Sequence, residues 1–296
     1  MKVFVVGNIA MDQTLAVDRM PIEGESIFGS KISSDLGGKG TNQAIVLARC
    51  GIPTILIAAI GTDAQSQQMR EKLSREPVIA RLIERLDISG DATIVLKDVH
   101  GGNVNITTVD CARSLQISDV RPLMSDAEAG DLLVLQGNLS VAATSDIIQE
   151  ARKKKMRIAL NPSPLVPEIS PFLAGLDVLF LNEHEAEEIT GLRKRAAVQY
   201  LLDLSIDVVV LTLGASGSLL GSKNGIVDVP AQVAEVADST GAGDTFQSVA
   251  IGSALRRRGW IDSIALSIAA MAAAITVSRF GTSAAFPTKA ELEELL

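Results

Sequence analysis

Short runs that are apolar throughout recur along the whole chain: VFVVG at 3–7, TILIAAIG at 54–61, DLLVLQG at 131–137, RIALN at 157–161, VLFLN at 178–182 and DVVVLTLG at 207–214. Helix-forming sequence lies between them, as in GTNQAIVLARCG at 40–51. A strand without a polar face must be covered on both sides, and parallel strands need crossover connections that helices supply. The alternation therefore predicts a three-layer α/β/α core around a mostly parallel central sheet. Helices are expected from about 64 to 86, up to about 154, from 183 onward, and through most of the tail from Gly241 to Leu296.

At 296 residues the chain suffices for one large α/β domain or two small ones. No repeat, low-complexity tract or flexible linker divides it, so one domain over 1–296 is expected. Hydrophobic residues make up 47% but aromatics only 3%, so the core must be aliphatic. A net charge of −8 argues against a nucleic-acid backbone as partner. The basic run ARKKKMR at 151–157 reads as a solvated helix end before a strand. Cys50 and Cys111 show no metal or disulfide spacing, which fits a reducing, cytoplasmic setting. The N-terminus is broken too early for a secretion signal, and the Ala-rich run at 263–278 is too short to span a membrane.

Two segments interrupt the rhythm. Residues 9–36 carry the turn markers Pro21 and Gly24, and residues 91–110 hold two alternating runs around His100-Gly101-Gly102, a hairpin signal. Both read as antiparallel strands apart from the main sheet. Together they predict a small β lid over the carboxyl ends of the parallel strands, where open α/β folds bind ligands. Apolar faces on such strands also suggest pairing between two subunits, a homodimer through the lid.

Two glycine-rich turns carry chemistry. LGGKGTNQA at 36–44 fails the P-loop pattern, because Gly40 follows Lys39 where Ser or Thr is required. What remains is a tight turn opening a helix, with Lys39, Thr41 and Asn42 as polar heads and a backbone that a ligand can approach. In VADSTGAGDTFQS at 236–248, Gly241, Ala242 and Gly243 offer successive N–H groups at a helix start, a cradle for developing negative charge. Asp244 follows in the first turn. A carboxylate there repels an anion at rest but can accept the proton of an attacking hydroxyl. The pairing suits phosphoryl transfer, with the acid serving the nucleophile and the amides holding phosphate. A plain capped helix start is the alternative.

GGKGTNQA near the start and DSTGAGDTF some two hundred residues later resemble the ribokinase (PfkB) family of carbohydrate kinases, and the likeness runs from GNIAMD to SRFGTSAAFPT. It implies a central sheet of about nine strands with flanking helices, a β lid, and transfer of the γ-phosphate of ATP, with Mg²⁺, to a sugar-type alcohol. By position, Asp244 resembles the catalytic base, and the N–H groups of Gly241, Ala242 and Gly243 resemble the anion hole. Asp12, Gly38, Lys39 and Asn42 resemble the sugar-binding set. Asn182 and Glu185 match an N-x-x-E motif tied to phosphate and Mg²⁺, the metal being held through water; Asn182 reads equally as an N-cap. Thr212, Gly214 and Gly217 match the turn that holds the nucleotide. Asp238 resembles a residue of the monovalent-cation site in potassium-activated members.

The chain departs from the ribokinase pattern where the sugar is read. Ala10 stands for an asparagine and Gly137 for a glutamate; Gly137 is expected to make room, with Gln136 or Asn138 supplying polar contacts. Ala285 falls near a serine of the cation site. Residues 74–92 look unusually long and helical. Ribose or another pentose is the default acceptor, with a tetrose-type sugar or a nucleoside open, and a catalytically inactive binding module is the other alternative. His184 is expected at the surface; His100 stands at the hairpin tip, with contact to substrate the lesser of its two readings.

Overall fold

The computed structural model describes residues 1–99 and 102–296. His100 therefore lies outside the described residues. In chain order the first elements are β1 (Val3–Val6), β2 (Ala10–Val17), β3 (Gly29–Gly37), α1 (Lys39–Arg49), β4 (Thr54–Ile60), α2 (Ala64–Leu73), β5 (Ile79–Glu84), β6 (Asp91–Asp98) and β7 (Asn103–Thr107). Next come α3 (Asp110–Ser114), α4 (Ile117–Leu123), β8 (Leu132–Gln136), α5 (Val141–Lys153), β9 (Arg157–Asn161), β10 (Val178–Asn182), α6 (Glu183–Thr190) and α7 (Lys194–Asp203). The last are β11 (Val208–Thr212), β12 (Ser218–Ser222), β13 (Gly225–Val229), α8 (Ala242–Arg256), α9 (Ser263–Val277) and α10 (Lys289–Leu295).

Nine strands form one sheet in the order β13-β12-β11-β10-β9-β8-β1-β4-β5. Strands β5 through β11 in that order pair in parallel, and β12 and β13 close the edge as antiparallel hairpin partners. Side chains alternate between two cores, as a period of two requires. Val3, Val5, Leu56, Ala58, Leu132 and Val134 join one apolar cluster with α1, α8 and α9. Phe4, Val6, Ile55, Ile57, Leu133 and Leu135 join the other with α3, α5 and α7. The strands' lack of a polar face is thus accounted for by two helical layers.

The helix expected to run to about 86 stops at Leu73, and 79–84 is an edge strand parallel to β4. Pro77 lacks an N–H and restricts the residue before it, so the helix cannot pass it cheaply. Leu82 then packs on one core and Ile83 on the other, which only a strand permits.

The second sheet has four strands in the order β3-β2-β6-β7. β2 pairs with β3 and β6 with β7 antiparallel, but β2 and β6 run parallel, which corrects the all-antiparallel expectation. Register sets Asp12 beside Asp35 and Thr93, and Ala16 beside Lys97. Because side chains alternate, Asp12, Asp35, Thr93 and Lys97 share the face toward the core, while Ile94, Val104 and Ile106 turn outward.

Candidate active site

Two helix starts meet at the site. Gly38 precedes α1 with φ of 89°, and Gly241 precedes α8 with φ of 75°. A side chain at Gly241 would be strained by that backbone and would also drive into the ring of Phe286, at 2.5 Å from its Cε1. The helices lie so that Asn42 Nδ2 donates to Asp244 Oδ2 at 2.9 Å and Gln43 Nε2 donates to Asp244 Oδ1 at 2.9 Å. All three side chains are buried. The carboxylate accepts only, so the amide orientations follow from it.

Gln43 is itself oriented. Its Oε1 accepts from Gln136 Nε2 at 2.7 Å and from Gln247 Nε2 at 3.5 Å, and Gln247 Oε1 accepts from Asn161 Nδ2 at 3.0 Å. Every donor in this chain of amides points toward Asp244. Each carboxylate oxygen still keeps a further lone-pair site for a hydroxyl proton. Beside it, the first-turn N–H groups of α8 have no intrahelical acceptor. Ala242 N reaches Ser239 O at a long 3.3 Å, and Gly243 is exposed. An exposed amide edge next to an oriented carboxylate can hold phosphoryl charge and receive a proton.

Asp12 sits under the lid, accepting from Thr282 Oγ1 at 2.9 Å. Burial pushes its carboxyl up to about 6, partly offset by the Thr282 and Thr93 hydroxyls, with Asp244 and Asp35 adding like-charge repulsion. Its Oδ1 has no donor, nor have Asn42 Oδ1, Gln136 Oε1 and Asn138 Oδ1. Buried acceptors without donors are costly, and the hydroxyls of a polyol are the complement.

A hollow of about 100 Å³ adjoins this site, lined among others by Lys39, Asn182, Glu185, Thr212, Gly243 and Gln247. Asn182 and Glu185 form a reciprocal capping box at the start of α6, with Glu185 N to Asn182 Oδ1 at 2.8 Å and Asn182 N to Glu185 Oε2 at 2.9 Å. That leaves Glu185 one further oxygen in the hollow. No cluster of three or more His, Cys, Asp or Glu able to hold a metal occurs among the described residues. Such a set fits Mg²⁺ retained through water and phosphate oxygens rather than a protein cage. A wider hollow, about 480 Å³, opens at the root of the lid beside Asp63, Asp87 and Asp110, and contains none of the predicted site residues.

The structure hydrogen-bonds Asn42 to Asp244, places Asp12 close enough to feel the Asp244 charge, and sets Lys39, Asn182, Glu185, Thr212 and Gly243 around the neighbouring hollow. Gly214 and Gly217 do not line it; they shape the turn between β11 and β12, where a side chain at Gly217 would meet Val229 O at 2.3 Å. Gly137 does not make room. A Cβ there would lie 2.1 Å from Pro164 O and 2.3 Å from Pro162 O, so the chain after β9 fills the space. His184 is exposed beside Glu188. Asp238 Oδ2 is 2.7 Å from Lys97 Nζ, and its Oδ1 accepts from Thr240 N at 3.0 Å and Thr240 Oγ1 at 2.7 Å. Burial raises the Asp238 pKa, but these partners outweigh it and leave the group below its ordinary value. Sequence reasoning missed Gln43, Thr282 and Lys97. Gln43 and Thr282 stand inside GTNQA and GTSAA, so the signal there was a polar residue in a motif that no role had used.

This architecture and this chemistry define a phosphotransferase of the α/β class with a lid. The pfkB family carbohydrate kinase pattern matches residues 1–289, and the chain belongs to that family, whose members phosphorylate a sugar hydroxyl. It is 28% identical to a ribokinase of Mus musculus over 312 residues, covering 98% of this chain and 93% of that one. It is 29% identical to a ribokinase of Bacillus subtilis, covering 99% and 98%. The structure of ribokinase from Giardia lamblia superposes with a TM-score of 0.87 at 25% identity, covering 99% of this chain and 98% of that one.

Proposed function

We propose that this chain transfers the γ-phosphate of MgATP to a hydroxyl of a small sugar, with ribose or another pentose as acceptor. One observation carries the reading: a buried Asp244 carboxylate, oriented by Asn42 and Gln43, adjoins the first-turn amides of Gly241–Gly243, of which Gly243 is exposed. The acceptor names of the full-length relatives support the pentose.

Asp12, Gly38, Lys39 and Asn42 hold the sugar, whose hydroxyls meet the unpaired oxygens of Asp12 and Asn42. Gln136 and Asn138 offer two more acceptors on the same side. The nucleotide lies along Thr212, Gly214 and Gly217, with its terminal phosphate at the amides of Gly241, Ala242 and Gly243. Asp244 takes the proton of the sugar hydroxyl, whose oxygen attacks phosphorus in line while the ADP oxygen leaves. Mg²⁺, when bound, neutralises charge on the phosphoryl oxygens, and Glu185 with Asn182 are the residues to hold it through water. The lid excludes water, which would otherwise take the phosphate.

The outward apolar side chains Ile94, Val104 and Ile106 support a homodimer formed through the lid. Two buried, unpaired cysteines support a reducing compartment, the cytoplasm.

The test is ADP release from MgATP across pentoses, hexoses, tetroses, sugar phosphates and nucleosides, with Asp244→Asn as control. One acceptor should turn over, and the variant should lose about 10²–10⁴-fold in kcat while still binding it. Near-full activity in the variant removes Asp244 from the base role. Turnover on a nucleoside alone replaces the acceptor.

A further inference from the structure

By resemblance, Asp238 corresponds to a residue of the monovalent-cation site in potassium-activated members of the family. The residues around it do not fit one. Lys97 Nζ already stands 2.7 Å from Asp238 Oδ2, with side-chain exposures of only 24% for Lys97 and 7% for Asp238. The other carboxylate oxygen is taken by the amide and hydroxyl of Thr240, and Gly281 N approaches Oδ2 at 3.4 Å. Ala285, fully buried, falls near the position where the resemblance places a serine of the cation site, and it brings no hydroxyl. A potassium ion would have to shed water, displace saturated hydrogen bonds and lie beside a like charge.

The ammonium is delivered by register. β6 runs parallel to β2 with Ala16 opposite Lys97, so Lys97 falls on the core-facing side with Asp12 and Thr93. Its partner begins the turn Asp238–Thr240, which leads straight into Gly241 and the first amides of α8. A positive charge on that turn serves what a bound ion would serve: it neutralises Asp238 and keeps the approach to the amide edge in one conformation.

We propose that Lys97 is a built-in cation in place of the monovalent ion at Asp238, so that the protein works without potassium and its anion-holding turn is set by the lid. The activity half of this rests on the kinase reading; the cation half does not.

The test compares chloride salts of potassium, sodium and tetramethylammonium at equal ionic strength. The readouts are the melting temperature of the free protein and the Kd for Mg²⁺ with a non-hydrolysable ATP analogue. For the wild type, potassium gives no rise in melting temperature over tetramethylammonium, and Kd stays within about twofold. Lys97→Met binds the analogue about tenfold more weakly in tetramethylammonium, and Lys97→Ala combined with Ala285→Ser becomes selectively responsive to potassium. The proposal is overturned by a potassium-specific rise in wild-type melting temperature, or by Lys97→Met binding like wild type in every salt. Loss of all nucleotide binding would count against the kinase reading, while the melting comparison still decides the cation.

Discussion

The two sheets obey opposite rules. In the inner strands of the nine-stranded sheet both faces are apolar and both are buried, so they carry side chains such as Phe4, Ile57 and Leu133 with no exposure at all. The four-stranded sheet turns its polar side inward and its apolar side out: Ile94, Val104 and Ile106 are 39%, 43% and 55% exposed, whereas Asp12 is 7%. Burial holds the first sheet. The second joins the core through Met11 and Leu36 at one end and is otherwise tied to it by polar contacts, Asp12 and Asp35 with Thr282, and Lys97 with Asp238. The helix starts that orient Asp244 are packed on the first sheet. The groups assigned to the acceptor are carried partly on the second.

The contrast breaks most easily in the large sheet. Ile57→Ala should cost about 2–5 kcal/mol in chemical denaturation, and a loss below about 1 kcal/mol would mean that the core relaxes as a surface does. Next comes Asp12. Its pKa is raised from 3.8 to about 6, so the folded state binds a proton more tightly than the unfolded chain does. The destabilisation is therefore absent below the unfolded value, grows as pH rises towards 6, and is complete above it, at about 3 kcal/mol. Asp12→Asn should gain stability over wild type across that window, and the acceptor KM of wild type alone should rise as pH falls below about 6. Parallel stability curves for the two proteins would show that the lid face is wetter than its burial suggests.

Smaller effects sharpen the comparison. Gln43→Leu removes the donor to Asp244 Oδ1 and should lower kcat about tenfold with little change in acceptor KM, by misplacing the carboxylate. An equal change in KM would mean that Gln43 serves binding instead. Ile106→Glu should leave unfolding free energy within about 0.5 kcal/mol, as exposed positions do. If the proposed homodimer forms through the lid, sedimentation should show dimer for wild type and monomer for this variant. An unchanged dimer would remove the lid's outer face from the interface.

The layered core was legible because its strands have no polar positions, and that property survives any local misreading. The stretch 79–84 was not, because Ile79, Leu82 and Ile83 are spaced as on a helix; only Pro77 argued otherwise, and an edge strand needs no second apolar face to betray it. At the candidate site, the position of Asp244 and the glycines at the start of a helix could be read from their order alone. Lys97 could not. In an alternating strand a lysine looks solvent-facing, and only pairing with β2 decides which side it takes. Gly137 misled for a similar reason, since a missing side chain signals space without saying whether ligand or backbone fills it.

The hydrogen bonds from Asn42 and Gln43 to Asp244 span 202 and 201 residues of sequence, and the ring that backs Gly241 belongs to Phe286. During translation the first partners leave the ribosome long before the last are made. A nascent chain arrested short of Asp244 would carry every strand from β1 to β13 and helices α1 to α7, yet lack α8, α9, α10 and the oriented acid, so competence arrives all at once, near release, and a growing chain has no opportunity to spend nucleotide.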